Sequence, residues 1–258
     1  MPKNAAQLDH ITLPDAVWRG TDLGEAVVRA CATGWRELDA QLPGGGWPAR
    51  SLTEILSPQP SLLEFRLAGG ALRHATAAGK QVVLVGAPKQ PHAPGLLREG
   101  LAAGQVIWIE ADQPAQRMWV VEQLVKSNAA GAILAWLPQA RAEQVRRLQI
   151  AALGCEAPVF LCRPESARSE SSAAPLRLHA SVGLDWELLV NIFKRRGPVH
   201  SGELRLHSVP GGLEEILTPR LQRPSELAMA LARNTEAADA VVGSPAPQRR
   251  RGEQLAVH

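Results

Sequence analysis

Short apolar runs alternate with longer amphipathic stretches over the first two thirds of the chain. Five runs are apolar at most positions, which is typical of strands that are covered on both faces of a sheet. They are Leu52–Leu56, Val82–Val85, Val106–Ile109, Ala132–Trp136 and Val159–Cys162. Three segments between them place apolar side chains at helical spacing: Leu62–Ala78, Gln113–Asn128 and Arg141–Leu153. The alternation predicts βαβ units, and therefore an α/β fold with a mostly parallel central sheet flanked by helices.

The pattern changes after the fifth run. Residues Arg163 to Pro175 include four serines and two glutamates, which predicts a polar, mobile loop. Strand-like pieces without helical periodicity follow between Leu176 and Leu206, such as Leu188–Phe193 and Leu204–Leu206. We expect these pieces to add antiparallel strands at one edge of the sheet.

The two ends of the chain differ from this core. Residues 1–32 have Leu23, Val27 and Ala30 at helical spacing and predict a short helical appendage before a core at 33–208. Residues 209–258 predict a helix at about Ser225–Asn234, followed by an Arg/Pro/Ala-rich tail that we expect to be disordered on its own. At the start of the second core helix, Asp112 is a candidate N-cap.

The composition excludes several classes of protein but does not indicate a function. The chain has 258 residues and a net charge of +3, which is too weak to argue for nucleic-acid binding. Its three cysteines lack CxxC spacing and its histidines are scattered, so neither a disulfide framework nor a metal site is indicated. No apolar run is long enough to span a bilayer, and Met1 to Gly20 do not show the basic-then-apolar pattern of a secretory leader, so we expect no secretion. We therefore expect a cytoplasmic protein without a metal.

A glycine-rich turn carries the first resemblance to a known family. Leu38-Asp39-Ala40-Gln41-Leu42-Pro43-Gly44-Gly45-Gly46-Trp47-Pro48, followed by Leu52-Thr53-Glu54-Ile55, resembles the entry to the RecA-type ATPase core. Further downstream, Gly79-Lys80 precedes the run Val82–Val85, which resembles the second strand of that family. Ala180-Ser181-Val182, before Leu184, resembles the strand that follows the family's second DNA-binding loop. Lys194-Arg195-Arg196-Gly197-Pro198 resembles the basic strand end that faces the neighbouring subunit's nucleotide in RecA filaments. The resemblance covers about residues 33 to 206.

The phosphate loop of that family is missing. It requires GxxxxGK[ST], with glycines for close backbone approach, a lysine for phosphate and a hydroxyl for Mg²⁺. The aligned stretch reads Ser57, Pro58, Gln59, Pro60, Ser61, Leu62, Leu63 and Glu64. Leu63 stands at the lysine position and Glu64 at the hydroxyl position. A carboxylate about 4 Å from phosphate would cost about 4 kcal/mol at an effective dielectric constant near 20.

Other ATPase positions are lost as well. The water-activating glutamate aligns with Pro88, the Walker B strand ends in Trp136 and Leu137, and the phosphate-sensing glutamine aligns near Arg163-Pro164. We therefore expect a RecA-like scaffold that is not an enzyme and takes no cofactor.

A RecA-like chain of this size without a phosphate loop resembles the ImuA family of bacterial mutagenic translesion synthesis. The resemblance implies a non-catalytic adaptor of the SOS response that binds the polymerase-like ImuB and RecA. It further implies indirect links to a second replicative-type polymerase subunit and the sliding clamp, weak or indirect DNA contact, and self-association. Residues 15 to 30 and the C-terminal segment are the candidate interfaces.

Three other functions remain open from the sequence. They are a division inhibitor similar to SulA, a RecA-like single-stranded DNA binder and an ATP-dependent recombinase, the last of which the residues at the phosphate loop oppose.

Candidate contact residues follow from position and charge. Lys194, Arg195 and Arg196 either face an acidic partner or DNA, or form a solvated strand end. Arg163 and Arg168 lie where RecA has its second DNA-binding loop, although this loop has no net charge and no aromatic side chain to stack on a base. Trp47 either packs beneath the glycine-rich turn or anchors a partner, whereas Trp108, Trp119 and Trp136 are expected in the core. Arg249, Arg250 and Arg251 form a cluster in the tail that either contacts a partner or aids solubility.

Overall fold

The structure, a computed structural model, describes residues 29–60, 63–211, 213–230 and 232. Its strands are Ala30–Cys31 (β1), Trp47–Pro48 (β2), Leu52–Ser57 (β3), Val82–Val85 (β4), Val106–Ile109 (β5), Ala132–Trp136 (β6), Val159–Pro164 (β7), Leu176–Val182 (β8), Glu187–Lys194 (β9) and Leu204–His207 (β10). Its helices are Arg36–Asp39 (α1), Glu64–Ala77 (α2), Ala93–Arg98 (α3), Pro114–Ser127 (α4), Ala142–Ala152 (α5) and Pro219–Gln222 (α6).

Eight strands form one central sheet in the order β10-β9-β8-β3-β7-β6-β4-β5. From β8 to β5 all neighbours are parallel, whereas β9 and β10 add to β8 as antiparallel strands at one edge. The predicted α/β fold, with a mostly parallel sheet and an antiparallel edge, is therefore confirmed. Strands β1 and β2 pair separately as a small antiparallel sheet.

The central strands are apolar almost throughout because both faces of the sheet are covered. Helix α2 packs one face with Leu67, Ala71 and Leu72, while α4 and α5 cover the other with Val121, Val125 and Leu148 among others. All six residues of β3 are buried, including three polar ones. The polar residues of this strand consequently need partners inside the protein.

The helix bounds agree with the predicted segments, but two details differ. The N-cap of α4 is Gln113 and its side chain makes no capping bond, so the prediction of Asp112 as the cap is wrong. Trp119 is 62% exposed, although it was expected in the core. The buried stripe of α4 follows Met118, Val121 and Val125, and Trp119 lies one residue, or about 100°, off that stripe.

The polar segment after β7 is more ordered than the loop expected there. Strand β7 extends through Arg163 to Pro164, and Glu165–Ser169 forms a 3₁₀ helix. Ala167 and Ala174 are buried against the sheet. The prediction of a mobile loop beginning at Arg163 is therefore wrong.

The chain ends are described only in part. Ala30, assigned to a helical appendage from sequence, lies in strand β1, and the rest of residues 15 to 30 falls outside the described residues apart from Arg29. Residues 224–230 are helical, in agreement with the first part of the predicted Ser225–Asn234 helix. Among the described residues, no helix is long and apolar enough to cross a membrane.

Candidate functional site

The segment that aligns with a phosphate loop connects the carboxyl end of β3 to the first turn of α2. Strand β3 ends at Ser57, residues 58–60 turn, and α2 begins at Glu64. Ser61 and Leu62 lie outside the described residues. This strand–turn–helix arrangement is the one in which P-loop proteins bind phosphate with main-chain N–H groups.

A carboxylate occupies the start of this helix. Glu64 is only 1% exposed, and its Oε1 accepts hydrogen bonds from Ser57 Oγ at 3.3 Å and from Trp136 Nε1 at 3.4 Å. Its Oε2 accepts a bond from the main-chain N–H of Leu63 at 3.2 Å. The carboxylate thus takes an amide donor that a phosphate would need, and its charge would repel the phosphate.

Apolar side chains complete this end of the sheet. Trp136, at the end of β6, is buried and packs against Phe65 of α2 with the ring centroids 5.7 Å apart. Cys162 of β7 is buried beside them, and burial followed by the Glu64 charge raises the pKa of its thiol well above the usual value. Burial and this raised pKa disfavour the thiolate form of Cys162, and its side chain packs in the core. Pro88, at the water-activating position, lies on the surface.

A second buried carboxylate, Glu54, lies between two buried arginines on neighbouring strands. Glu54 Oε1 pairs with Arg163 Nη1 at 3.2 Å, and Oε2 pairs with Arg177 Nε at 2.5 Å. Glu54 is fully buried, and both arginines are almost so. The cluster joins β3 to β7 and β8 at the middle of the sheet.

Other donors of this Arg163–Glu54–Arg177 cluster bind the segment after β7 and Ala140, which precedes α5, whereas Arg163 Nε has no partner among the described residues. Arg163 Nη2 donates to Ala140 O and Glu170 Oε2, each at 2.7 Å. Arg177 donates to the main-chain oxygens of Ala167 and Glu170. These bonds explain why the segment after β7 is ordered.

The cluster corrects the interpretation of Arg163. This residue was a candidate DNA contact in a polar loop, but its guanidinium is buried and paired with Glu54. The error arose because the apolar run stops at Cys162, whereas Glu54 lies more than a hundred residues earlier in the chain. A contact between Arg163 and DNA is thus incompatible with this arrangement.

Arg168 remains on the surface. Its guanidinium lies 5.2 Å from the ring centroid of Phe193, and Arg177 lies 4.9 Å from the same ring. Arg168 Nη2 also donates to Asn191 Oδ1 at 3.4 Å. Its cation is therefore held against β9, and a contact with DNA stays a prediction.

The basic triplet lies at the opposite end of the central strands from Glu64. Lys194 ends β9, which runs antiparallel to β8, and it donates to Ser172 O at 2.7 Å. Arg195 donates to Pro198 O at 2.7 Å and to Gln41 O, while Arg196 is exposed. Lys194 and Arg196 are available to a partner, as their sequence position indicated, and the partner itself stays a prediction.

Trp47 is not available to a partner. Its side chain is 0% exposed and meets Phe160 edge to face, with the ring centroids 5.2 Å apart. Of the two interpretations of Trp47, packing beneath the turn is confirmed and contact with a partner is wrong. Arg249, Arg250 and Arg251 lie outside the described residues.

A surface cleft of about 680 Å³ lies between the first turns of α4 and α5. Asp112, Arg117 and Arg141 line it. The Arg117 side chain donates hydrogen bonds to the carbonyls of Ala111 and Asp112, so these donors are already bonded within the protein.

In the part of the chain that the structure describes, no group of three or more His, Cys, Asp or Glu residues could hold a metal ion.

Sequence reasoning missed two features. One is the Arg163–Glu54–Arg177 cluster, for which a glutamate inside an otherwise apolar strand was an available signal. The other is an apolar groove of about 550 Å³ between the β8–β9 turn and residues 224–230, lined by Val182, Leu184 and Trp186. Leu184 is 70% exposed. No periodicity marked this groove, because its two walls are about forty residues apart.

Neither a protein-family model nor a curated protein matches this chain.

Proposed function

We propose that the chain is a cytoplasmic, non-catalytic adaptor of the SOS response with a RecA-like core. It supports mutagenic translesion synthesis by binding the polymerase-like ImuB and RecA. The observation that carries the non-catalytic part is the buried Glu64 carboxylate at the first turn of α2. The adaptor role rests on the resemblance of the glycine-rich turn and the loop after β3 to the ImuA family.

The sheet topology supports the RecA-like core. Strand β3 lies inside the sheet with parallel neighbours on both sides, and α2 follows it after a short turn. Such a strand–turn–helix unit is the phosphate-binding unit of P-loop proteins. Here its main-chain geometry is combined with residues that oppose a phosphate.

The exposed apolar groove supports an adaptor rather than an isolated domain. Val182 and Leu184 expose apolar side chains at the β8–β9 turn, and exposed apolar patches mark interaction sites. The turn is well anchored, since Asp185 Oδ1 accepts a bond from Ser225 N at 2.8 Å and Trp186 Nε1 donates to Leu221 O at 2.9 Å. We assign this groove to the polymerase-like partner.

The full-length chain is expected to show no saturable ATP binding up to about 1 mM in calorimetric titration with Mg²⁺ present, which corresponds to less than about 4 kcal/mol of binding free energy. The reason is that Glu64 repels phosphate and takes an amide donor. Removing the charge alone, in Glu64→Gln, is expected to leave ATP unbound because the lysine is still missing. Saturable binding of ATP by the wild-type chain below about 100 μM would contradict the non-catalytic proposal.

Size-exclusion chromatography without nucleotide is expected to show the chain co-eluting with purified ImuB and, separately, with RecA. Leu184→Glu should weaken the complex with ImuB about tenfold or more, since a buried charge in an apolar interface is costly. Ile150→Glu on α5 is the matched control, because Ile150 is also an exposed aliphatic side chain, and it should leave the complex unchanged.

Other outcomes of this experiment identify the competing functions. Absence of both complexes, together with salt-dependent binding of single-stranded DNA, would replace the adaptor with a DNA binder. Absence of both complexes, together with stoichiometric inhibition of polymerisation of the tubulin-like division protein, would favour a division inhibitor.

A further inference from the structure

A small apolar pocket with a cationic rim lies at the amino ends of β3 and β8, remote from Glu64. Its walls are formed by Pro43, Pro48 and Pro175, and its volume of about 30 Å³ admits the tip of one aliphatic side chain. Arg195 and Arg196 lie on its rim. Ser51 also lines the pocket, and its buried Oγ has no hydrogen-bond partner among the described residues.

The rim cations Arg195 and Arg196 directly follow Lys194, which ends β9 and does not itself line the pocket. The bonds that Lys194 and Arg195 donate go to main-chain carbonyls of Ser172, Pro198 and Gln41. Among the described residues, none of Lys194, Arg195 and Arg196 forms an ion pair with a carboxylate. Partial burial and then the Arg177 charge lower the pKa of Lys194, and the Glu54 charge partly opposes them. An incoming carboxylate would therefore be stabilised here.

An acidic segment of this same chain enters the structure beside the pocket. Arg29 O accepts a bond from Ala49 N at 2.8 Å, and Ala30 pairs with Pro48, so the chain emerges next to two residues that line the pocket. Residues 9–28 carry four carboxylates, on Asp9, Asp15, Asp22 and Glu25, against the single cation Arg19. They also contain the aliphatic residues Leu13, Val17 and Leu23.

We propose that residues 9–28 bind in cis to this pocket and its rim, with carboxylates against Arg195 and Arg196, within reach of the neighbouring Lys194, and one aliphatic side chain between the prolines. A second pocket, lined by Arg29 and Glu156 among others, is less suitable for this acidic segment. Glu156 would repel its carboxylates and already pairs with Arg29 and Arg50. Nucleic acid is a less suitable occupant. Its phosphates would pair with the cations, but a phosphate backbone offers no aliphatic side chain for the proline-lined pocket. The proposal does not depend on the adaptor function.

Zero-length crosslinking of the full-length chain tests this contact. The carbodiimide EDC joins a carboxylate directly to an amine, and mass spectrometry then identifies the linked peptides. We expect links between Lys194 and the carboxylates of residues 9–28 in the monomer fraction. They should fall about fivefold or more in 1 M salt, where the Debye length is about 3 Å. Lys89, an exposed lysine in the turn after β4, is the internal control and should not link to residues 9–28.

Charge reversal distinguishes the proposed contact from chance proximity. Arg196→Glu keeps the Lys194 amine but should lower the Lys194 links about fivefold or more, because the rim then repels the segment. Arg220→Glu changes an exposed arginine on α6 and should leave them unchanged. The proposal is overturned if Lys194 forms no link to residues 9–28 in a folded wild-type chain. Links found only between two chains, or links unaffected by Arg196→Glu, also overturn it.

Discussion

Replacing Glu54 with glutamine is expected to lower the free energy of unfolding by about 3–5 kcal/mol, the usual result of removing one partner from a buried ion pair. Arg163 and Arg177 would then be left as buried cations without a carboxylate between them. For a chain of this size the loss corresponds to a fall in Tm of about 6–20 °C. Urea and thermal unfolding followed by circular dichroism measure both quantities.

Glu156→Gln is the matched control for this change. Glu156 also accepts from two arginines, Arg29 and Arg50, but this pair of contacts is on the surface. Exposed ion pairs add little to stability because water and salt screen them, so the unfolding curve should barely move. Equal effects of the two substitutions would mean that the Glu54 cluster is not the buried electrostatic link described above.

Trp47→Ala is expected to destabilise the protein by about 3–5 kcal/mol, because it empties a large buried volume beneath the glycine-rich turn. The indole meets Phe160 of β7 edge to face and is 0% exposed. Trp47→Phe should recover most of the loss, since the ring packing is retained and the indole Nε1 has no hydrogen-bond partner in the part of the chain that the structure describes. Denaturant unfolding compares the three chains.

Trp119→Ala provides the control on the opposite face of the sheet. Trp119 belongs to α4 but is 62% exposed, so its removal should change the free energy of unfolding by about 0.5 kcal/mol or less. If Trp47→Ala were as mild as Trp119→Ala, the packing assigned to Trp47 would be wrong.

The two ends of the central sheet are chemically opposite, which bears on the proposed adaptor. At the carboxyl end, Glu64, Trp136 and Cys162 fill the space around the first turn of α2. At the amino end, Lys194 and Arg196 present cations to solvent beside a small pocket. Under the proposed function, the carboxyl end of the sheet binds no nucleotide. The amino end and the apolar groove lined by Leu184 supply surfaces for other proteins.

The strands and helices were predictable because their signals are local. Val82–Val85, Val106–Ile109 and Ala132–Trp136 have the predicted bounds, because short, nearly continuous apolar runs are typical of strands in a parallel sheet. Val106–Ile109 is the edge strand β5 and is only partly buried, so its predicted coverage on both faces is wrong. The antiparallel edge followed from the loss of helical periodicity after Leu176. The mismatch with a phosphate-binding loop was also visible locally. Leu63 and Glu64 stand where the GxxxxGK[ST] motif requires a lysine and a hydroxyl.

The partners of individual polar residues were not predictable in the same way. Arg163 follows an apolar run and precedes a serine-rich segment, so its neighbours in sequence indicate a surface loop. Only the pairing of β7 with β3 brings it to Glu54, 109 residues away. Trp119 was misjudged for a related reason, because the exposure of a tryptophan depends on which face of its element meets the rest of the protein. The same dependence left two interpretations open for Trp47.

The sequence by itself determined the alternation of strands and helices, the antiparallel edge and the absence of a GxxxxGK[ST] motif after β3, because each depends on residue types at short, regular spacing. The tertiary structure alone decided that Glu54 joins two buried arginines, that Trp47 is covered, and that Leu184, Lys194 and Arg196 face solvent. These features arise where strands distant in sequence become neighbours. Burial and charge pairing are properties of that arrangement rather than of any single segment.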